Sequence, residues 1–339
     1  MSDIQQNYSL LHRNTFGIDA RARYFVEYAT VDELKGFLQT DIARQNRLLQ
    51  IGGGSNLLFT ADFDGVVLHS CIRFIQYHDC PDCPDAVTAH VGSGVVWDDF
   101  CHDAALNNLW GVENLSFIPG EVGASAVQNI GAYGVEACDS ISAVYLLDID
   151  TLQESIVECA DCQYGYRHSR FKTEWAGRYI ITAVDYRLHR TPRPRLDYAG
   201  LNTLKSDLDS LTPAAVRSFV TAIRQQKLPD PAVTGSAGSF FKNPVITSAQ
   251  YQSLLAVYPG MPHYPAAPDM VKVPAAWLID QCGFKGATIG GAQVYPKQPL
   301  VITNTGGASA SDIMSLAANI QTQVAEKFGV TISPEVIYI

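Results

Sequence analysis

The pattern of apolar and polar residues predicts a helix near the N-terminus. Its apolar face is formed by Leu34, Phe37 and Leu38, which recur at helical spacing. Thr30 and Glu33 precede this face with the spacing of a capping box, in which two side chains bond to backbone N–H groups of the first turn. The pairing predicts that the helix begins directly after Thr30.

Two further helices are predicted in the C-terminal half. One follows Thr212, a candidate N-cap, with Pro213 at the first helical position, and it must end before Pro229. The other opens with the S-x-x-D box that starts at Ser309, and Gly329 ends it. Their apolar faces are Val216, Phe219, Val220 and Ile223 in the first, and Ile313, Leu316, Ile320 and Val324 in the second.

Apolar runs of strand length, separated by short polar turns, fill much of the remaining chain. The predicted strands cover residues 48–51, 65–68, 87–94, 141–147, 155–159, 179–188 and 330–339, the last of them interrupted by Pro334. The fourth and fifth of these are joined by a short turn and are predicted to form a hairpin. One helix, from Trp97 to about Leu109, is predicted among them. Many short strands and few helices indicate an α+β fold with a largely antiparallel sheet rather than a doubly wound sheet.

A domain boundary is predicted at TPRPRLDYAG, residues 191–200, because prolines and arginines there interrupt any helix. The stretch from Pro262 to Pro268 is predicted to be a loop. The expected divisions are a first domain over residues 17–190 with lobes of about 17–70 and 71–190, a linker over 191–211, a second domain over 212–325 and a terminal strand over 326–339.

Composition narrows the class of protein. The chain has 339 residues, of which 47% are apolar and 17% charged, as is typical of a folded chain with two or three domains. Its 24 basic and 34 acidic residues give a net charge of −10, which argues against a nucleic-acid or membrane partner. The sequence has neither an apolar segment of signal-peptide type nor the run of about 18 apolar residues that a membrane helix needs. We expect a cytoplasmic protein.

The eight cysteines include two pairs with the C-x-x-C spacing of metal sites, CPDC at Cys80 and CADC at Cys159. A shared structural zinc usually requires a gap of about 12 to 20 residues between such pairs, whereas this gap is much longer. We therefore expect mostly free thiols, as is usual in the cytoplasm, and no metal.

Candidate chemistry begins with two glycine-rich stretches, residues 48–58 (LLQIGGGSNLL) and 118–134 (IPGEVGASAVQNIGAYG). Glycine permits close backbone approach, and free N–H groups along a turning backbone hold phosphate oxygens. Two such stretches can grip a diphosphate from two sides, although each alone also fits a plain loop between strands. The first lacks the third glycine of the G-x-G-x-x-G fingerprint, so a Rossmann interpretation is weak.

Further motifs follow in order along the chain. They are NTFGID from Asn14, YGYRHSRFK from Tyr164, KLPDP from Lys227, GSAGSFFKNP from Gly235, WLIDQCGFKG from Trp277 and SPEV from Ser333. With the glycine-rich stretches, they resemble the UDP-N-acetylenolpyruvoylglucosamine reductases, the MurB family, within the PCMH-type FAD-binding domains shared with vanillyl-alcohol-type oxidases. The resemblance covers nearly the whole chain. One departure is Ala126, where the family usually has proline, which changes loop stiffness and puts no chemistry in doubt.

The resemblance implies a two-lobed FAD-binding PCMH-type domain followed by a C-terminal α+β domain that binds substrate. It also implies FAD, bound non-covalently, and NADPH as cofactors. The FAD contacts that it implies are Gly52, Gly53, Gly54, Ser55, Asn56, Leu57, Pro119, Gly120, Gly123, Ala124, Gln128, Asn129, Gly131 and Tyr133.

Three catalytic residues are implied by the same resemblance. Arg167 and Glu335 would stabilise an enolic intermediate, and Ser239 would protonate it at carbon. From the sequence alone, Arg167 also fits a solvated charge and Glu335 an exposed edge residue. Ser239 lacks the G-x-S-x-G elbow and the partners of a nucleophilic serine. His168 is expected at the surface.

The implied substrate is UDP-N-acetylglucosamine enolpyruvate, bound by a monomer. Arg224 and Lys227 would face its diphosphate, although cations in a last helical turn also suit the helix dipole. The segment between Ser248 and Tyr264 resembles the longer of two family types, which has a substrate-closing loop. The implied substrate contacts are Tyr166, Tyr198, Arg224, Lys227, Asn243, Tyr264, Lys285 and Gln298.

The implied activity is NADPH-dependent reduction of this substrate to UDP-N-acetylmuramate, a step of peptidoglycan precursor synthesis. Two other classes stay open. A flavoprotein oxidase of the same fold would act on a sugar or alcohol, but many of those carry a flavin-linking histidine in the turn where this chain has Ser55 and Asn56. A non-catalytic nucleotide-binding protein would have little use for Arg167, Ser239 and Glu335 together.

Overall fold

The computed structural model describes residues 3–81, 83–198 and 200–339. The strands are β1 (Ile4–Ser9), β2 (Arg21–Tyr28), β3 (Leu48–Ile51), β4 (Leu57–Leu58), β5 (Phe63–Ser70), β6 (Ile75–Asp79), β7 (Ala86–Gly92), β8 (Gly131–Ala132), β9 (Val135–Glu136), β10 (Ile141–Asp148), β11 (Glu154–Glu158), β12 (Tyr179–His189), β13 (Gly235–Ser239), β14 (Val245–Thr247), β15 (Tyr264–Pro265), β16 (Met270–Lys272), β17 (Thr288–Ile289), β18 (Ala292–Val294), β19 (Val301–Asn304) and β20 (Ile337–Tyr338). The α-helices are α1 (Val31–Leu38), α2 (Asp41–Gln45), α3 (Trp97–Leu106), α4 (Val122–Gln128), α5 (Pro213–Lys227), α6 (Ser248–Val257), α7 (Ala275–Gln281) and α8 (Ala310–Phe328). Among the helices of these residues, none is both long and apolar enough to cross a membrane.

The chain forms two compact units, and each is assembled from three separate segments. The first unit comprises Met1–Tyr8, Ala22–Gly53 and Phe63–Gln226, and the second comprises Ser9–Arg21, Gly54–Asp62 and Lys227–Ile339. Each unit therefore combines strands and helices from separate parts of the sequence.

A four-stranded sheet lies in the N-terminal part of the first unit, in the order β1-β2-β5-β3. Strand β5 is parallel to both β2 and β3. The predicted helix is present as α1, where Thr30 Oγ1 accepts from Glu33 N at 3.1 Å and Glu33 accepts from Ala29 N at 2.7 Å. The Glu33 carboxylate thus binds the backbone N–H of Ala29, the residue before the N-cap, instead of the N–H of the N-cap Thr30. Leu34, Phe37 and Leu38 are buried, as the pattern predicts.

The second sheet of the first unit has the order β11-β10-β12-β7-β6, and its neighbouring strands pair antiparallel. The predicted hairpin of β10 and β11 is present, and α3 begins at Trp97 as predicted but ends three residues earlier. Leu147 of β10 and Ile180 of β12 are buried in the same cluster as Leu34 of α1. One apolar core therefore joins the two sheets of the first unit, and the α+β class is confirmed.

The segment predicted as a linker is folded within the first unit. Leu196, Leu201 and Leu211 are buried with Trp110 and with Val216 of α5 in one apolar cluster. Helix α5 itself begins as predicted, because Thr212 Oγ1 accepts from Ala215 N at 3.2 Å.

The second unit contains a sheet in the order β13-β19-β18-β17, and α8 packs on it. A smaller sheet has the order β14-β16-β15, and β4 pairs in parallel with β20. Two predictions were wrong here. Residues 264–265 form β15 within the stretch predicted to be a loop. The terminal strand is confined to β20, since α8 extends to Phe328 and Pro334, which has no N–H to donate, interrupts the segment between them.

Helix α8 is fixed at both ends by local hydrogen bonds. Ser309 Oγ accepts from Asp312 N at 3.1 Å, and Asp312 Oδ2 accepts from Ser309 N at 2.9 Å, which completes the predicted capping box. Gly329 ends the helix in the left-handed region with φ 62°. Ile313, Leu316 and the rest of the predicted face are buried.

Replacing Ser309 with alanine tests this cap. Ser309→Ala removes the acceptor for one first-turn N–H and should lower the free energy of unfolding by about 1 kcal/mol. Urea unfolding followed by circular dichroism measures the change. Ser253→Ala is the control, because Ser253 is an exposed residue inside α6 and should change stability by less than about 0.5 kcal/mol. Equal effects of the two substitutions would contradict the importance of the cap.

Candidate functional site

The two glycine-rich stretches meet in the first unit. A Cβ atom built on Gly53 would lie 3.4 Å from Gly120 Cα, and one on Gly52 would lie 3.2 Å from Ala124 Cβ. Gly53 is exposed, so its backbone is accessible to a ligand at this contact. Because no side chain separates the two backbones, the arrangement fits an extended phosphate group.

The second stretch is partly helical, and the interpretation of it as a loop was wrong. Helix α4 begins two residues after Gly120. Gly123 N donates to Ser93 O at 2.9 Å, and a Cβ on Gly123 would lie 2.9 Å from Ser93 Cβ. Close packing against Ser93 therefore requires glycine at this position, independently of any ligand. Ala126 is buried within the helix.

Arg167 is docked on the backbone that follows α4. Its Nη1 donates to Asn129 O at 3.3 Å and its Nη2 donates to Gly131 O at 2.9 Å. Lys172 Nζ donates to Gln128 Oε1 at 2.8 Å. Arg167, a predicted catalytic residue, thus lies against two predicted cofactor contacts, and Lys172 bonds to a third. Lys172 was not predicted to be a site residue, although it lies in the YGYRHSRFK motif.

Asn129 has a structural role that its sequence context did not reveal. The side chain is fully buried at the left-handed C-cap of α4, with φ 45°. Its Nδ2 donates to Glu136 Oε2 at 2.7 Å and to Gly165 O at 3.0 Å, while its Oδ1 accepts from Cys138 N at 3.0 Å. This amide therefore holds three neighbouring segments together.

Three other predicted site residues lie near one another in the first unit. The rings of Tyr133 and Tyr198 are edge to face with centroids 5.4 Å apart. Arg224 lies beside Tyr133, and its Nε donates to Phe117 O at 3.0 Å. Burial lowers the pKa of Arg224 and raises that of Tyr133. Tyr166 and His168 are exposed, as His168 was predicted to be.

In the second unit, backbone hydrogen bonds place Glu335 beside the segment that carries Ser239. Glu335 N donates to Phe240 O at 2.8 Å, directly after Ser239 at the end of β13. Asn56 Nδ2 donates to Glu335 O at 3.1 Å. Ser239 and Glu335 are thus carried by hydrogen-bonded backbone segments, whereas Arg167 belongs to the first unit.

The remaining predicted contacts of the second unit occupy different structural settings. Asn243 Oδ1 accepts from Ala275 N at 2.9 Å, at the start of α7. Gln298 closes a turn in which its N donates to Tyr295 O at 3.1 Å. A Cβ on Gly54 would lie 2.0 Å from Arg13 O, so glycine is required there by packing. Exposed positions in this unit include Lys227, Tyr264 and Lys285.

A buried histidine that sequence analysis missed lies beside the glycine-rich contact. His69 Nδ1 lies 2.8 Å from Glu27 Oε1, and His69 Nε2 lies 2.8 Å from Glu121 Oε1. The ligand atoms of Glu27, His69 and Cys71 lie within 4.8 Å of one another, as in some metal sites. Ligand atoms around a tetrahedral zinc are about 3.3 Å apart, so the contact between His69 and Glu27 has the length of a hydrogen bond instead.

Relatives of known name match this chain over its whole length. It is 46% identical over 336 residues to the UDP-N-acetylenolpyruvoylglucosamine reductase of Bacteroides fragilis (strain YCH46). The aligned region covers 99% of this chain and 100% of that protein. The chain belongs to the UDP-N-acetylenolpyruvoylglucosamine reductase family. A member of the family from Chromobacterium violaceum is 44% identical over 325 residues, 95% of each chain.

Family models and a solved structure agree with membership of this reductase family. Residues 22–151 match the FAD binding domain, and residues 230–339 match the reductase's C-terminal domain. The crystal structure of the Thermus caldophilus reductase, which is 22% identical, has a TM-score of 0.68 and covers 100% of this chain and 98% of that one. The predicted architecture, an FAD-binding domain with a C-terminal domain of this family, is confirmed, and FAD is the cofactor.

Replacing Asn129 with alanine tests whether its side chain stabilises the site. Asn129→Ala removes three buried hydrogen bonds, to Glu136, Gly165 and Cys138, and should lower the free energy of unfolding by about 2 to 4 kcal/mol. Urea unfolding of the holoenzyme measures the loss. Asn107→Ala, at an exposed helix end, should cost less than about 1 kcal/mol. A loss for Asn129→Ala no larger than for this control would contradict the structural role.

Proposed function

We propose that this chain is an FAD-dependent reductase that uses NADPH to convert UDP-N-acetylglucosamine enolpyruvate to UDP-N-acetylmuramate. The observation that carries the proposal is the 46% identity to the B. fragilis reductase over 99% of this chain. The product is a precursor of peptidoglycan. We place the activity in the bacterial cytoplasm and propose that the protein acts as a monomer.

The domain bounds and site residues expected from the sequence are part of the proposal. An FAD-binding domain over residues 17–190 and a substrate-binding domain over residues 212–325 would be followed by a terminal segment that carries Glu335. The contact between Gly53 and Gly120 supports a diphosphate-binding role for these two stretches, because backbone N–H groups can approach phosphate oxygens there without obstruction. FAD, when bound, supplies hydride transfer between NADPH and the substrate.

Arg167 is proposed to stabilise negative charge on the substrate carboxylate. A guanidinium fork recognises a carboxylate through parallel hydrogen bonds, and it stays charged at any working pH. The bonds of Arg167 to Asn129 O and Gly131 O fix the orientation of the group before substrate arrives. Such preorganisation lowers the free energy of a transition state in which charge develops. Glu335 is proposed to assist at the same group.

Ser239 is proposed to donate the proton that completes the reduction at carbon. Its position after Gly238, which has φ 66°, and at the end of β13 fixes the backbone around its hydroxyl. A serine hydroxyl is a weak acid, so the proton must be relayed to it after transfer. The backbone of Glu335 is bonded to that of Phe240, the residue after Ser239. This proximity of the backbones favours a shared role of Ser239 and Glu335.

The remaining proposed contacts bind the sugar nucleotide. Arg224 and Lys227 would neutralise part of the diphosphate charge, together with Lys285. Tyr198, whose ring lies edge to face with that of the proposed FAD contact Tyr133, would present an aromatic surface to the substrate. The proposed substrate contacts are completed by Tyr166, Asn243, Tyr264 and Gln298.

Anaerobic spectroscopy tests the proposed function directly. The purified holoenzyme is reduced with NADPH in the absence of oxygen and then mixed with UDP-N-acetylglucosamine enolpyruvate. Rapid return of the oxidised visible flavin spectrum would support the reductase. A flavin that stays reduced until air is admitted would contradict it and favour an oxidase of the same fold.

Ser239→Ala tests the proton donor. The variant should bind FAD and oxidise NADPH as the wild type does, because these steps need no proton from the side chain. Its second half-reaction should be slower by roughly two to four powers of ten. Stopped-flow absorbance resolves the two half-reactions, with Ser253→Ala of α6 as the control. An unchanged second half-reaction would remove Ser239 from this role.

A further inference from the structure

Asp98 lies in the first turn of α3 and binds two segments that are distant from it in sequence. Its Oδ1 accepts from Phe117 N at 2.6 Å, and its Oδ2 accepts from Arg217 Nη2 at 2.7 Å. Arg217 belongs to α5, and Phe117 directly precedes the second glycine-rich stretch. All three residues belong to the first unit. One carboxylate therefore joins α3, α5 and the start of that stretch.

The backbone of Phe117 is held on both sides. Its N–H donates to Asp98, and its carbonyl oxygen accepts from Arg224 Nε at 3.0 Å. Phe117 has φ 60°, a left-handed conformation that a bulky side chain adopts only when the surrounding structure imposes it. The side chain is exposed, so these backbone bonds, rather than burial in a core, hold the conformation. A bond to a carboxylate is also stronger than one between neutral groups. Asp98 therefore fixes the direction of the Phe117 carbonyl.

The Phe117 carbonyl in turn orients the guanidinium of Arg224. Burial lowers the pKa of Arg224, whereas its interaction with Tyr133, which includes a hydrogen bond, and the charge of Asp98 raise it. A guanidinium carries five N–H donors in a rigid plane. The bonds to Phe117 O and to Tyr133 fix this plane, and they leave further donors of the same group for the oxygens of an anion.

Arg217 holds the carboxylate in place. Its Nη2 donates to Asp98 Oδ2, and its Nη1 donates to Thr221 Oγ1 at 3.3 Å. Arg217 and Arg224 are about two helical turns apart in α5, so they lie on the same side of the helix. Helix α5 is thus bound at two points, once to Asp98 and once to the backbone that Asp98 holds.

We propose that Asp98 is a positioning residue for the sugar nucleotide, which directs Arg224 toward the diphosphate through the backbone of Phe117. The inference rests on the proposed contact between Arg224 and the diphosphate. Two effects of the carboxylate on an anionic ligand have opposite signs. Its negative charge repels the ligand, whereas its bond to Phe117 orients the cation that attracts the ligand. The proposal requires the second effect to be the larger one.

Asp98→Ala removes both effects, and it should weaken binding of a nucleotide sugar. The probe is UDP-N-acetylglucosamine, which carries the diphosphate without the enolpyruvyl group and needs no turnover. Its Kd for the oxidised holoenzyme, measured by isothermal titration calorimetry, should rise by about tenfold, the lower end of what loss of a charged hydrogen bond causes. Because binding is affected equally in ground and transition states, kcat with the enolpyruvyl substrate should change by less than about twofold.

Asp98→Asn and Asp98→Glu separate geometry from charge. The asparagine oxygen still accepts from Phe117 N, but the negative charge is lost, so the Kd should equal that of wild type or fall below it. The glutamate keeps the charge but moves its oxygens by one methylene group, so the Kd should rise as it does for Asp98→Ala. A role of the charge alone predicts the opposite order.

Asp99→Asn is the matched control. Asp99 is exposed in the same first turn of α3, so its substitution removes the same charge at the same helix end. Because this side chain is remote from the Phe117 backbone bonds described above, the Kd should stay within about twofold of the wild-type value.

A double-mutant cycle tests whether Asp98 acts through Arg224. Arg224→Ala alone should raise the Kd by roughly tenfold to a hundredfold, as expected for loss of a charged hydrogen bond. In that background, Asp98→Ala should cause no further increase, because the group that it positions is absent. A purely structural role of Asp98 would instead add its full effect to that of Arg224→Ala.

A wild-type Kd for Asp98→Ala, equal increases for Asp98→Ala and Asp98→Asn, or additive effects in the cycle would each overturn the proposal. Thermal unfolding by circular dichroism shows whether each variant is folded, and the contrast between Asp98→Asn and Asp98→Glu decides the matter if Asp98→Ala is not. Anaerobic reoxidation with the enolpyruvyl substrate judges the proposed function separately. A holoenzyme that reoxidises without this pattern of Kd values refutes only the positioning role. One that shows the pattern but no reoxidation refutes only the reductase.

Discussion

The first unit depends on the close approach of two backbones that carry no side chains at their contact. Gly53 lies against Gly120, since a Cβ on Gly53 would be in van der Waals contact with Gly120 Cα, and Gly120 has φ 125°, which favours glycine. Gly120 O also accepts from Trp97 N, and α4 begins two residues after Gly120. Helix α4 in turn ends at Asn129, whose carbonyl receives Arg167. The glycine contact and the proposed catalytic cation therefore lie at opposite ends of one short helix.

Elements with local signals were predictable from the sequence. At the start of helices α1, α5 and α8, the side chain of the N-cap residue accepts from the backbone N–H three residues later. Both residues of such a cap lie within one helical turn, so a short stretch of sequence predicts it. The hairpin of β10 and β11 was likewise predictable from alternation and a short turn. Helix α4 was missed because Gly123 and the β-branched Val122 and Val127 have weak helix propensity, and packing against Ser93 stabilises it. The terminal segment was apolar enough for a strand, but Pro334 limits its pairing.

The site was predictable only in part, for a related reason. Motif order located Arg167, Ser239 and Glu335, but it contained no information about their partners. The burial of Asn129 and the helix-start contact of Asn243 arise from segments distant in sequence, such as Gly165 and Ala275. The contacts of His69 join strand β2, strand β5 and the N-cap of α4, whose residues Glu27, His69 and Glu121 are far apart in the sequence. No local pattern marks such a group, since each member alone is an ordinary polar residue.

The interleaving of the two units has a consequence for synthesis on the ribosome. Strand β4 leaves the ribosome early, whereas its partner β20 is made only after α8. The second unit therefore cannot complete its structure until β20 has been made, while Phe63–Gln226 of the first unit can fold before then. Residues 9–21 and 54–62 must wait in an unfinished state during that interval. Truncation of the C-terminus would leave these two early segments without the unit to which they belong.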